Sequence, residues 1–288
     1  MLNGVNSMQR RNILILSILS WCSLQPITLQ GHVFKKNYKT QFCRKSIKKQ
    51  PSPCILEGLG EIFCDAGSLL KNLFSVSSAK VITSFIPLYV LSRVHDEKIQ
   101  ANFYDPSNHK NINQFPKHCH SIAHYGIGFP IVALSSLAFF ANDEDLRLTG
   151  RMFAIGLPFV HSGKDIIKKL RFKSCLRPWH ENFDRHHRSS GGFPSGHMAN
   201  VMFMASLFGM RHGPAWGVSL GLFAGFVFVD FVNCNRHYFS QLVAGAGLGL
   251  IFALAASKVV DKKLSERCSF SCNVDAQGNS CAQLCYRF

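Results

Sequence analysis

The sequence predicts an all-α protein: a six-helix transmembrane bundle, preceded by an N-terminal apolar segment and followed by a polar tail that contains cysteines. Three observations predict it. Residues 122–141 are apolar apart from His124, residues 214–232 carry one charge, Asp230, near their end, and residues 239–257 carry none. Each run approaches the roughly 20 residues that cross a bilayer core. Three weaker runs bring the count to six: 73–91, interrupted by Lys80; 148–162, interrupted by Arg151; and the short 198–210. Finally, the 32 Lys and Arg of this 288-residue chain, set against 16 Asp and Glu, avoid the apolar runs and crowd between them.

Taken in order, residues 13–24 follow Arg10-Arg11 and read as a signal-peptide core or an uncleaved anchor. No small-x-small cleavage site follows at 25–31. Lys35, Lys36, Lys39, Arg44, Lys45, Lys48 and Lys49 then form a cluster without an acid. Such a cluster stays on the cytoplasmic side. With an uncleaved first segment it places the later basic loop, 164–197, outside, in an inner or plasma membrane with that loop on the periplasmic face. Cleavage would invert this. Residues 1–66 are therefore read as leader and linker, 67–262 as the membrane-embedded helical domain, and 263–288 as the tail.

Within the bundle, 102–117 is a polar loop, Asn142-Asp143-Glu144-Asp145 a tight acidic turn, and Arg211-His212-Gly213-Pro214 another turn. The run Gly245-Ala246-Gly247-Leu248-Gly249 resembles a nucleotide loop only superficially. No strand precedes it and it sits within a lipid-length helix, so close helix packing is its reading. In the tail, Cys268, Cys272, Cys281 and Cys285 fit two disulfides across a hairpin, four thiolates around zinc, or unpaired thiols, and the spacing does not choose.

The net charge of +16 calls for an anionic partner. No nucleic-acid module is visible and long apolar runs separate the basic clusters, so the expected partners are the membrane's anionic headgroups and a phosphorylated substrate. His180, His186 and His187 cluster, but no carboxylate or cysteine accompanies them at a familiar metal spacing. They read as solvated loop residues near a phosphate pocket.

The chemistry concentrates in three places. In Phe193-Pro194-Ser195-Gly196-His197 a turn precedes an apolar run, so Ser195 sits at a helix start. Backbone N–H groups there attract anions, and His197 adds an acid. Cys175-Leu176-Arg177-Pro178 supplies a guanidinium for phosphate. Arg236-His237-Tyr238-Phe239-Ser240-Gln241 supplies a second histidine, with Gln241 four residues on and, in a helix, on the same face. One histidine to attack phosphorus and one to protonate the leaving oxygen are what metal-free phosphoryl transfer requires.

Together these segments resemble the three-part signature of the type 2 phosphatidic acid phosphatases, the superfamily that includes the vanadium haloperoxidases. The resemblance implies that Arg177, Ser195 and Gly196 hold phosphate, that His237 is the nucleophile, that His197 is the general acid, and that no metal and no cofactor are needed. The family's Lys, seven positions before the Arg, falls here on Leu170. Lys169 and Arg171 flank it and are the candidates for its role. In the third motif Asp230 stands where the family has Ser, Phe231 where it has Arg, and Gln241 where it has Asp. By analogy with serine-protease triads, losing that carboxylate costs on the order of 10²–10⁴ in turnover. Arg236 substitutes for the missing arginine only if it lies in a loop before the helix, because helical neighbours diverge by about 100°.

Two readings follow. One is an integral membrane phosphatase that removes phosphate from a lipid-linked phosphate or diphosphate through a phosphohistidine. The other is a catalytically impaired member of the same fold that binds phospholipid headgroups or a protein partner. A channel is disfavoured because the ionisable residues sit at span ends.

Overall fold

The computed structural model describes residues 55–105, 110–111, 117–170, 176–178, 191–274 and 280–286. The chain divides into two units, 1–53 and 54–288. The apolar segment at 13–24, the cluster at 35–49, Arg171 and the histidines His180, His186 and His187 lie outside the described residues.

Eight helices are described: α1 (Ile55–Leu73), α2 (Val76–Gln100), α3 (Lys117–His124), α4 (Gly128–Phe140), α5 (Glu144–Lys169), α6 (Gly196–His212), α7 (Pro214–Asn233) and α8 (Phe239–Arg267). Local chemistry sets their ends. The Ser75 hydroxyl accepts the Ser78 N–H at 3.4 Å to begin α2. The Asp143 carboxylate accepts the Leu146 N–H at 2.8 Å to begin α5. Glu144 and Asp145 in the first turn of α5, and Lys168 and Lys169 in its last, complement the helix dipole. Gly213, at φ 92°, ends α6, and Pro214 opens α7 directly after it.

Four of the six apolar runs lie within single helices, while 73–91 and 122–141 each cross a break between two, and the count of six spans is not confirmed. Among the described residues, three helical stretches are long and apolar enough to cross a bilayer: Ser121–Phe140, Pro214–Asn233 and Phe239–Glu266. A fourth is possible if Gly58–Leu73 and Val76–Gln100, bent by 50°, count as one. The reasons are physical. α5 carries Glu144 and Asp145 at one end and Lys168 and Lys169 at the other. The 17 residues of α6 rise only about 26 Å, against a core of roughly 30 Å. α6 is instead the central helix, with Met198, Val201, Phe203, Met204, Leu207 and Phe208 all buried. α1 also departs from the sequence reading, which left residues up to 66 as a linker.

The core gathers Phe153 of α5, Phe203 and Phe208 of α6, and Phe252 of α8; Phe153 lies 5.2 Å from Phe203 and 5.7 Å from Phe208, ring to ring. The glycine run of α8 is a packing device. A Cβ on Gly245 would meet the Ser195 carbonyl at 2.5 Å, and one on Gly247 would meet the Phe85 ring at 2.9 Å. Gly249 likewise faces the Ala199 carbonyl. Small residues thus let α6 and α2 close on α8 from two sides.

The far end of the bundle is ion-paired. Arg211 bridges Asp145 (2.8 Å) and Asp261, Arg151 bridges Glu61 and Asp65 (2.9 Å each), and Lys263 meets Asp65 at 2.6 Å. Short antiparallel strands complete the description: β1 (Tyr104–Asp105) with β2 (Lys110–Asn111), and β3 (Cys268–Val274) with β4 (Ser280–Tyr286). In the tail ladder Cys272 stands opposite Ala282 and Cys281 opposite Asn273, while Cys268 faces Tyr286 and Cys285 faces Ser269. No cysteine is registered against another.

Candidate functional site

The ends of several helices meet opposite the ion-paired end. Ser195 is the N-cap of α6: its hydroxyl accepts the Met198 N–H at 3.5 Å, and the residue is fully buried. Its own N–H donates to the Gln241 carbonyl at 3.1 Å, which ties the start of α6 to the start of α8. Gly196 is small for a reason: a Cβ there would lie 2.5 Å from Cδ of Lys164 and 3.4 Å from its Nζ. The glycine lets a lysine lie along the helix start.

His237 lies in the turn two residues before α8 and is 3 % exposed. Its Nδ1 is 2.9 Å from the Gly192 carbonyl and 3.3 Å from Oε1 of Gln241. Both partners accept, so the proton of the neutral ring is assigned to Nδ1 and the lone pair to Nε2. Burial, and after it the positive charge of Arg177, pushes the His237 pKa down to about 3. Arg177 therefore stands on the His237 side of the site.

Gln241 is the hub. It occupies the third position of α8, and its Oε1 accepts the Tyr238 N–H at 3.2 Å, the return half of a capping box. Its Nε2 donates to the Leu176 carbonyl at 2.7 Å, beside Arg177. One amide therefore touches all three sequence motifs, counting the Ser195 bond to its backbone.

His197, in the first turn of α6, is half-buried. Burial, the neighbouring His124, and the cations Arg236, Lys164 and Lys168 push its pKa down to about 4. Its ring lies 4.7 Å from that of His124 and 4.9 Å from that of Phe231. Phe231 in turn lies 5.6 Å from the His237 ring and is 1 % exposed. The two imidazoles thus flank a single phenyl ring, at the position where the resemblance leads one to look for arginine.

The placement of the remaining candidates is mixed. Arg236 lies in the turn before α8, as its substitute role requires, and its charge acts on His197. Lys169 is exposed. The lysines that face the site are Lys164 and Lys168, both half-buried. They are spaced i, i+4 on one face of α5. Motif spacing anchored on Leu170 misses them, whereas a helical reading of α5 would find them. His124 was likewise hidden, as a lone polar residue in an apolar run. Among the described residues, no group of three His, Cys, Asp or Glu side chains gathers as a metal would require.

Residues 150–265 match the PAP2 superfamily model. The matched stretch contains all three motifs. No curated protein matches the chain. Among solved structures, the chain is similar to the first transmembrane PAP2 type phosphatidylglycerolphosphate phosphatase from Bacillus subtilis, at 19 % identity and a TM-score of 0.47 over 66 % of this chain and 98 % of that one.

Proposed function

We propose that this chain, with its PAP2-superfamily segment at 150–265, is an integral membrane phosphatase that removes phosphate from a lipid-linked phosphate or diphosphate. The observation that carries the reading is the fixed tautomer of His237: with Nδ1 held by the Gly192 carbonyl at 2.9 Å, Nε2 is the nitrogen left to attack. Arg177, Lys168, Lys164 and the N-terminus of α6 at Ser195 and Gly196 hold the phosphoryl oxygens. Nε2 bonds to phosphorus as the bond to the lipid oxygen breaks, and that oxygen takes a proton from His197. Water then cleaves the N–P bond, gives its proton back to His197 and releases phosphate. A bound phosphate dianion offsets the cations around His197 and raises its affinity for the proton it must donate. Counted with the six spans of the sequence reading, three of which precede the 164–197 loop, the Lys35–Lys49 cluster favours an outward-facing site.

One observation favours a second reading. Phe231 packs against both imidazoles, and Gln241 brings no charge to His237. A member of the fold that binds headgroups without turning them over would carry such residues. Purified protein and a His237→Ala variant, assayed side by side on phosphatidic acid and on a prenyl diphosphate, separate the two. Phosphate release by the wild type alone supports the enzyme; equal background from both proteins leaves the binding reading.

A further inference from the structure

α2 lies outside the matched family segment, yet one stripe of it touches both histidine-bearing segments. Tyr89, Arg93, Asp96 and Gln100 are spaced four, three and four residues apart, which puts them on one face of the helix. The Tyr89 ring packs edge-on against Phe193, 5.5 Å away, just before Ser195. Arg93 lies over the Tyr238 ring at 5.6 Å and pairs with Asp96 at 3.0 Å. Asp96, 1 % exposed, accepts the Ser240 N–H at 2.9 Å and the Ser240 hydroxyl at 2.5 Å. Gln100 donates to the Val232 carbonyl at 3.2 Å and to Oδ1 of Asn235 at 2.5 Å. Asn235 has φ 57° and belongs to the turn that leads into His237.

Helix-start chemistry explains what Asp96 does. The N-cap position of α8 is Tyr238, whose side chain offers no acceptor near the second helical N–H. An N-cap Asp or Ser ordinarily accepts that N–H. Here a carboxylate from another helix, 144 residues away in sequence, accepts it instead, and its charge also suits the positive end of α8. The two helices run antiparallel in a fixed register: Ser75 meets Lys258, Phe85 meets Gly247, Asp96 meets Ser240 and Gln100 meets Asn235.

We infer that Asp96, seconded by Gln100, is a positioning residue that sets the placement of the His237 turn by capping α8 from α2. The inference rests on the proposed reaction for its kinetic consequence but not for its structural one. Asp96 touches neither His237 nor the phosphate-binding lysines, so its loss should misplace the nucleophile and leave substrate binding largely intact.

The test uses the full-length protein in detergent micelles, as wild type, Asp96→Leu and Asp96→Asn. For Asp96→Leu, kcat falls about 10²-fold, the cost of a displacement near 1 Å, while KM changes by less than about threefold. Hydrogen exchange at amides 239–241 speeds up about tenfold, with the rest of α8 unchanged, as loss of one cap predicts. Asp96→Asn, which still offers an amide oxygen to the Ser240 N–H, recovers most of both. A role in general stability would lower Tm without splitting kcat from KM or confining the exchange change to the helix start. If Asp96→Leu does not accumulate folded, Gln100→Leu takes its place, with faster exchange expected at 235–241. Wild-type kcat and wild-type exchange in the variant overturn the inference. A wild type no more active than His237→Ala sinks the phosphatase reading, while the exchange data still decide the cap.

Discussion

Gln241 donates through Nε2 to the Leu176 carbonyl at 2.7 Å while its Oε1 faces Nδ1 of His237 at 3.3 Å. A carboxylate could make the second contact but not the first. The amide trades charge behind the histidine for a bond that holds the Arg177 loop against the start of α8.

Gln241→Glu separates these roles. The new carboxylate supports the His237 imidazolium, so the histidine titrates upward by about 1–3 units, read from the pH dependence of its modification by diethylpyrocarbonate. The Leu176 carbonyl loses its donor, and stability falls by about 1–3 kcal/mol in denaturant unfolding.

Lys164 and Lys168 are expected to hold the phosphoryl group, and Lys169 is not. Removing a charge-assisted hydrogen bond costs about 1.5–3 kcal/mol. Lys168→Ala and Lys164→Ala should each raise KM by roughly 10- to 100-fold by that cost, with Lys169→Ala close to wild type. Steady-state kinetics on vesicles of phosphatidic acid checks the ranking.

Phe231→Ala opens the space between the two imidazoles. Truncating a buried Phe costs about 3–5 kcal/mol, so Tm drops, yet inorganic phosphate should bind more tightly in titration calorimetry. Weaker phosphate binding in a folded variant would mean that the ring supports the anion site and does not obstruct it.

Both histidines are neutral in the ligand-free protein at neutral pH, pushed down to about 3 for His237 and about 4 for His197. In the unfolded chain an imidazole titrates near 6.5. Their contribution to stability is therefore complete above pH 6.5 and is lost as pH falls through that value toward 4 and then 3. Thermal unfolding from pH 7.5 to 4 should show Tm declining across that window, with a shallower decline in His237→Gln.

How much of this was legible in the sequence differs by element. Apolar length marks the cores of α4, α7 and α8 because lipid-scale hydropathy is a local property. The Ser195 cap is readable because Pro, Gly and an apolar run specify a helix start within a few residues. α1 escaped notice because Glu57, Glu61 and Asp65 interrupt its apolar pattern; part of that charge is neutralised by Arg151 and Lys263, more than eighty residues away. Lys164 and Lys168 escaped because a motif fixes separation along the chain, whereas a helix presents every third or fourth residue. Asp96 had no sequence signal: a cap supplied by another helix has no fixed spacing. His124 reaches His197 through the fold alone.

The ion pairs at the far end have a consequence for the surrounding lipid. On α5, Arg151 belongs to that cluster and Lys164 to the opposite pole, thirteen residues apart, or about 20 Å along the axis. A hydrocarbon slab of about 30 Å is thicker than this uncharged girdle. Where α5 borders lipid, the acyl chains beside it must shorten or Arg151 and Lys164 must snorkel toward the headgroups. Local thinning draws the nearby headgroups down toward Lys164 and Lys168.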